Sequence, residues 1–245
     1  MSNKRISLNK IREDYDEFID GCAKFNFYTR STDIQKEKIN ECEQYILLLK
    51  GYKAQAIDKQ DEYTANLLFH FQCMINAMAA SLKTWVSMKA NAFHEAWCNL
   101  VDAQEYIEIA LKVADYSGIR NMQNQLKEME SALFPGWALY NSPGHTETIG
   151  KCSICGCSFI QCDHIENNIY LGRLCQRVDR EIIEVHHSAL VKNPKDRRCI
   201  ITKISGDHGK MIDYFTWEET EEENNDDDGN YMEGVLLSFH NLDFN

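Results

Sequence analysis

Six of the chain's ten cysteines crowd into one short stretch: Cys152, Cys155, Cys157, Cys162, Cys175 and Cys199. Cys152-Ser-Ile-Cys155 is a C-x2-C pair. In a tight turn that spacing brings two thiolates to one metal ion, each at about 2.3 Å. Gly156 follows at once, and glycine tolerates the positive φ such a turn requires. Seven residues after Cys155 comes Cys162-Asp-His164. In an extended segment residues i and i+2 point the same way, so Cys162 and His164 can close a tetrahedron with the first pair. Three thiolates and one imidazole form a closed ligand set, the usual composition of a structural zinc site. The predicted ligands of one structural Zn2+ are therefore Cys152, Cys155, Cys162 and His164. Two alternatives stay open on spacing alone. Cys157 can substitute for a neighbour, and Cys175 can replace His164 to give an all-thiolate site.

The string from Cys152 to Cys175 resembles a motif of the form C-S-x-C-G-(x)5–6-C-x-H-(x)4–5-Y-x-G-x-x-C in poorly characterised bacterial and phage-linked proteins. There the motif often precedes a segment of the form E-x-S-x-V-x-x-P. The stretch Glu184 to Pro194 is similar to that segment, with an insertion at His187. The resemblance covers Cys152 to Ile201, and more loosely Glu95 to Gln104. It implies structural zinc ligands and a place in a bacterial multi-protein system such as phage defence, and it carries no implied activity.

The competing chemistry is that of an HNH-like metal-dependent nuclease. Asp163-His164-Ile165 is similar to the string that carries its general-base histidine, and Asn167, Asn168, His186 and His187 could fill the remaining roles. Such a site uses a divalent cation as Lewis acid and a histidine to activate water. Zinc-stabilised nucleases of that kind carry their first C-x2-C farther upstream and a second one downstream, where Cys175 stands alone. His164 also cannot easily serve as both ligand and base. Adjacent residues of a regular strand face opposite sides, so His186 and His187 are not expected to share a site. No phosphate-cradling glycine loop, G-x-S-x-G or H-E-x-x-H occurs. No arginine precedes His70 or His94 at the spacing of helical ribonucleases, and both are read as structural.

Elements must position these residues. Leu8, Ile11, Tyr15, Phe18, Cys22 and Phe25 recur at three and four, as on one face of a helix. Similar stripes run from Ile39 to Ala56, broken by Lys53, from Leu67 to Trp85, from Phe93 to Leu111, and from Ile119 to Leu133. Thr32 and Gln35 have the spacing of a capping box. The third stripe is apolar on more than one face, which places it centrally or against a second copy. Cys22, Cys42, Cys73 and Cys98 are scattered through these helical segments and read as small buried apolar residues. Phe134-Pro135-Gly136 ends the helical half. Asn141-Ser142-Pro143-Gly144 reads as a loop, and short strands are expected over 182–185, 199–204 and 235–239. The fold class is α+β. An all-α helical bundle over 1–140 precedes a small zinc-stabilised α+β domain over 141–245.

The formal net charge is −12. Eight carboxylates between Glu218 and Asp228 account for much of it; removing them from −12 leaves −4. This run is expected to form a solvated loop over 218–228. No basic stripe marks a phosphate-backbone binder, so nucleic acid is not the favoured partner. A protein partner, or self-association through the bundle, is. No apolar run of about 20 residues suits a membrane span. None follows Lys4, Arg5 and Lys10 either, so a cytoplasmic protein without a secretory signal is expected.

Overall fold

The computed structural model describes residues 7–206, 209–223, 231–238, 242 and 244. Its five helices are α1 (Leu8–Ala23), α2 (Thr32–Asp58), α3 (Glu62–Lys89), α4 (Phe93–Ala110) and α5 (Ser117–Leu133). Ten short strands follow: β1 (Tyr140–Glu147), β2 (Lys151–Cys152), β3 (Ile169–Tyr170), β4 (Arg173–Leu174), β5 (Arg177–Val178), β6 (Ile182–Val191), β7 (Ile201–Ser205), β8 (Lys210–Asp213), β9 (Glu219–Glu223) and β10 (Met232–Gly234). The α+β class expected from the sequence is the one observed. No helix among the described residues is long and apolar enough to cross a membrane.

Two compact units divide the chain. One comprises Met1–Lys127, Lys151–Val178 and Asp243–Asn245, and the other Glu128–Gly150 and Asp179–Leu242, as far as each is described. The units interleave in sequence, whereas the sequence reading cuts the chain once, near residue 140. The Cys-rich segment groups with the helices.

In the first unit α3 is the hub, packing against α1, α2 and α4. Leu68, Phe69, Ile75, Leu82, Trp97, Leu100 and Ile107 are fully buried around it. Side-chain caps start two helices: the Ser7 hydroxyl accepts the Lys10 N–H at 3.2 Å, and the Asp61 carboxylate accepts the Thr64 N–H at 3.1 Å. Gln60 and Asn91, at φ 55° and 56°, take the left-handed conformation that ends α2 and α3. Lys53, the break in the second stripe, is buried. Its ammonium donates to Gln72 Oε1 at 2.8 Å and sits 5.2 Å from the centre of the Phe69 ring. The expected capping box does not form. Ser31 is the residue at the N-cap, and Gln35 instead donates from Nε2 to the carbonyls of Phe25 and Phe27, both at 2.9 Å. A buried amide secures the α1–α2 connection where a capping side chain was expected.

The second unit holds an antiparallel ribbon, β1–β6, and a four-stranded antiparallel sheet in the order β10-β7-β8-β9. Tyr140, Cys199, Ile200, Ile201, Met211 and Tyr214 are buried there. Three expectations are corrected. The stretch 141–144 is not a loop: Pro143 pairs with Ser188 inside β1, on a two-stranded ribbon that can spare the N–H proline lacks. The acidic run is not wholly a loop: Glu219–Glu223 forms β9 against β8, with Lys210 on Glu219 at 3.1 Å and Lys203 on Glu222 at 2.6 Å. The rest of that run, 224–228, lies outside the described residues. The last strand is Met232–Gly234 rather than 235–239. Gly234 pairs with Ile201 across β7, and a Cβ there would meet the Ile200 carbonyl at 2.7 Å. Residue 239 lies outside the described residues.

Candidate metal centre

The Cys-rich segment begins on β2, which pairs with β5 through Lys151–Val178 and Cys152–Arg177. The chain then turns sharply. The Gly156 N–H donates to the Cys152 carbonyl, and the Cys152 N–H to the Cys157 carbonyl, both at 2.9 Å. Gly156 has φ +73°, the left-handed value expected after the C-x2-C pair. Ser153 fastens this turn to the strands that follow: its hydroxyl donates to the Leu174 carbonyl at 3.0 Å and accepts the Gln176 N–H at 2.9 Å. A single 3-10 turn, Phe159–Gln161, leads to Cys162, whose backbone is extended at φ −112° and ψ 136°. That conformation turns Cys162 and His164 to the same side.

The ligand atoms of Cys152, Cys155, Cys162 and His164 all lie within 4.8 Å of one another. The four can hold a metal ion. Cys155 Sγ and Cys162 Sγ are 3.5 Å apart, and Cys162 Sγ is 3.1 Å from His164 Nδ1. With metal–sulfur bonds of about 2.3 Å, a tetrahedral edge between two sulfurs is about 3.8 Å, so the spacing fits a common tetrahedral ion. Backbone N–H groups already point at the sulfurs: Ile154 on Cys152 at 3.4 Å and His164 on Cys162 at 3.2 Å. The His164 ring stands edge-on to Tyr170, with centroids 4.6 Å apart. Tyr170 in turn accepts the Ile165 N–H at 2.9 Å through its hydroxyl. These outer contacts fix the imidazole that the ligand set needs.

The cluster polarises its own thiols. Burial opposes the Cys152 thiolate, but the N–H groups of Cys155 and Ile154 and the thiols of Cys162 and Cys175 outweigh it and bring its pKa down to about 6. Burial and the neighbouring sulfurs push Cys162 up to about 11, despite the opposing His164 N–H. A cation held there would draw the thiols to their thiolate forms.

The two alternatives from spacing lie in different surroundings. Cys157 is exposed, and its sulfur faces the Cys155 carbonyl at 3.9 Å. Cys175 is buried with its sulfur 3.8 Å from that of Cys152, yet the four-residue grouping contains His164 and not Cys175. His186 and His187 sit on β6, in the other unit. The ladder skips His186 between the pairs Gly144–His187 and His145–Val185. His186 Nε2 lies 2.7 Å from the Thr146 hydroxyl. Among the described residues the only metal-compatible grouping is the Cys152 cluster. His70 is buried, with Nδ1 3.0 Å from the Ala110 carbonyl and Nε2 3.1 Å from the Tyr116 hydroxyl, a packing role. The part that sequence reasoning missed is the supporting shell. Ser153 and Tyr170 act through contacts that no ligand spacing reveals.

The chain matches no family model, no curated protein and no solved structure. Of the resemblance to bacterial and phage-linked proteins, the structure carries the grouping of three cysteines and a histidine.

Proposed function

We propose that this chain is a non-enzymatic interaction or scaffold protein in which one structural Zn2+ holds the Cys-rich segment through Cys152, Cys155, Cys162 and His164. The observation that carries the reading is the convergence of those four ligand atoms within 4.8 Å. Three sulfurs and an imidazole nitrogen suit zinc, and four protein ligands leave no position for a substrate. When bound, the ion supplies four fixed cross-links to a segment whose strands are two residues long. His164 directs Nδ1 toward Cys162, which favours a ligand over a general base at that position.

For a partner, α2 offers adjacent apolar side chains to solvent, Leu47 at 62% and Leu48 at 47% exposure. They support docking of a protein partner or a second copy on the helices. The motif resemblance supports a role in a bacterial phage-defence assembly. Ten thiols without a disulfide among them suit a reducing cytoplasm. The test combines metal analysis with incubation of the zinc-loaded protein with plasmid DNA and Mg2+. One zinc per chain and intact DNA are expected. Cleavage that disappears in His186→Ala or His187→Ala, with zinc retained, would replace this reading with the nuclease.

A further inference from the structure

Within the first unit, one groove of about 710 Å³ lies between the helices and the β3 strand. That volume is in the range of small-molecule sites. Its lining is unusual for a chain of net charge −12: two cations, Arg12 and Lys112, and no carboxylate. Arg12 is exposed on α1 and makes no hydrogen bond or ion pair among the described residues, so its guanidinium is available to a ligand. Lys112 spends one of its three N–H donors on the Asn167 carbonyl at 2.9 Å. Asn66 accepts the Gly172 N–H on Oδ1 at 2.7 Å, which leaves its amide N–H groups to face a ligand. Arg12, Lys112 and Asn66 thus supply the donors and positive charge that an anion requires. Tyr63, 69% exposed, and Leu67 and Ile169 add flat and apolar surface.

The groove is built into the fold. Gly172 has φ +69°, and a Cβ there would stand 2.6 Å from the Ala65 carbonyl. Only glycine lets the β3–β4 turn approach α3 closely enough for the Asn66 hydrogen bond. Lys112 holds the loop before β3 from the other side.

We propose that this groove binds a mononucleotide, with Arg12 and Lys112 on its phosphates and Tyr63 against its base. The groove does not depend on which ion fills the cysteine cluster, and a nucleotide held there regulates or equips the scaffold without any bond being made or broken. The test is calorimetric titration of the full, metal-loaded chain with ATP, GTP, CTP and UTP, and with adenosine and inorganic phosphate as partial probes. Saturable binding of at least one nucleotide is expected, with the partial probes at least tenfold weaker. Arg12→Ala and Lys112→Ala should each weaken binding about tenfold or more. Lys83→Ala, a surface cation elsewhere on α3, should leave it unchanged. Arg12 supports nothing else in the fold, so its variant stays folded. No saturable binding of any of the four nucleotides would overturn the proposal. So would a loss below threefold in Arg12→Ala, or phosphate alone binding as tightly as the nucleotide.

Discussion

The helices around α3 and the Cys-rich segment Lys151–Val178 belong to one compact unit, yet they are held together in different ways. α3 is buried on several faces, with Phe69, Ile75 and Leu82 fully out of water. Each such side chain contributes about 1.5–3 kcal/mol by leaving water. The Cys-rich segment has little of this. Its buried apolar side chains are Cys152, Leu174 and Cys175, and its strand pairs are two residues long. Isolated two-residue ladders do not hold in water. The difference teaches where the stability of each part comes from: burial in the helices, and in our account a metal in the segment.

The two parts should therefore break under different treatments. The largest effect is expected from chelation or from Cys152→Ala/Cys155→Ala. Structural zinc contributes about 10–16 kcal/mol of apparent binding free energy, so its loss should unfold the segment locally. Amide hydrogen exchange should show 151–178 losing protection while α2 and α3 keep theirs. Next in size, Phe69→Ala should cost about 3–5 kcal/mol in chemical denaturation and leave metal content at wild-type level. A smaller effect sharpens the contrast through pH. Burial lowers the His70 pKa below its ordinary 6.5, against the opposing hydrogen bond to Ala110. The unfolded chain then binds the proton more readily than the folded one. Stability is full above about pH 6.5 and falls as pH drops through that value toward the folded pKa. His70→Gln should flatten this acid limb in melts recorded at successive pH values. The smallest effect is expected at Arg120→Ala. It removes an exposed pair with Asp115 and should leave the denaturation midpoint at the wild-type value, because water screens such a pair.

How much was legible follows from the range of each interaction. The helical stripes from Leu8 to Leu133 carry their own period and appear as five helices. The C-x2-C turn with Gly156 and the extended Cys162-Asp-His164 are also local, and the structure brings those four ligand atoms together. What escaped depends on partners far away in sequence. Gln35 looked like half of a capping box because its carbonyl targets, Phe25 and Phe27, lie on the previous connection. Pro143-Gly144 looked like a turn because the strand that pairs with it begins at Ile182. Glu219–Glu223 looked too charged for a strand, but Lys210 on the adjacent β8 and Lys203 on β7 beyond it neutralise part of it. Asn66 reaches Gly172 across more than a hundred residues, and with that contact comes the grouping of the Cys-rich segment with the helices. No pattern within either stretch announces it.

The most direct measurement is metal analysis of the purified wild-type chain beside Cys152→Ala/Cys155→Ala, with hydrogen exchange recorded on both. The account predicts one zinc per wild-type chain, none in the variant, and loss of protection confined to the segment that holds the four ligands. A wild-type chain that binds no metal, or a variant whose 151–178 segment stays as protected as before, would contradict it.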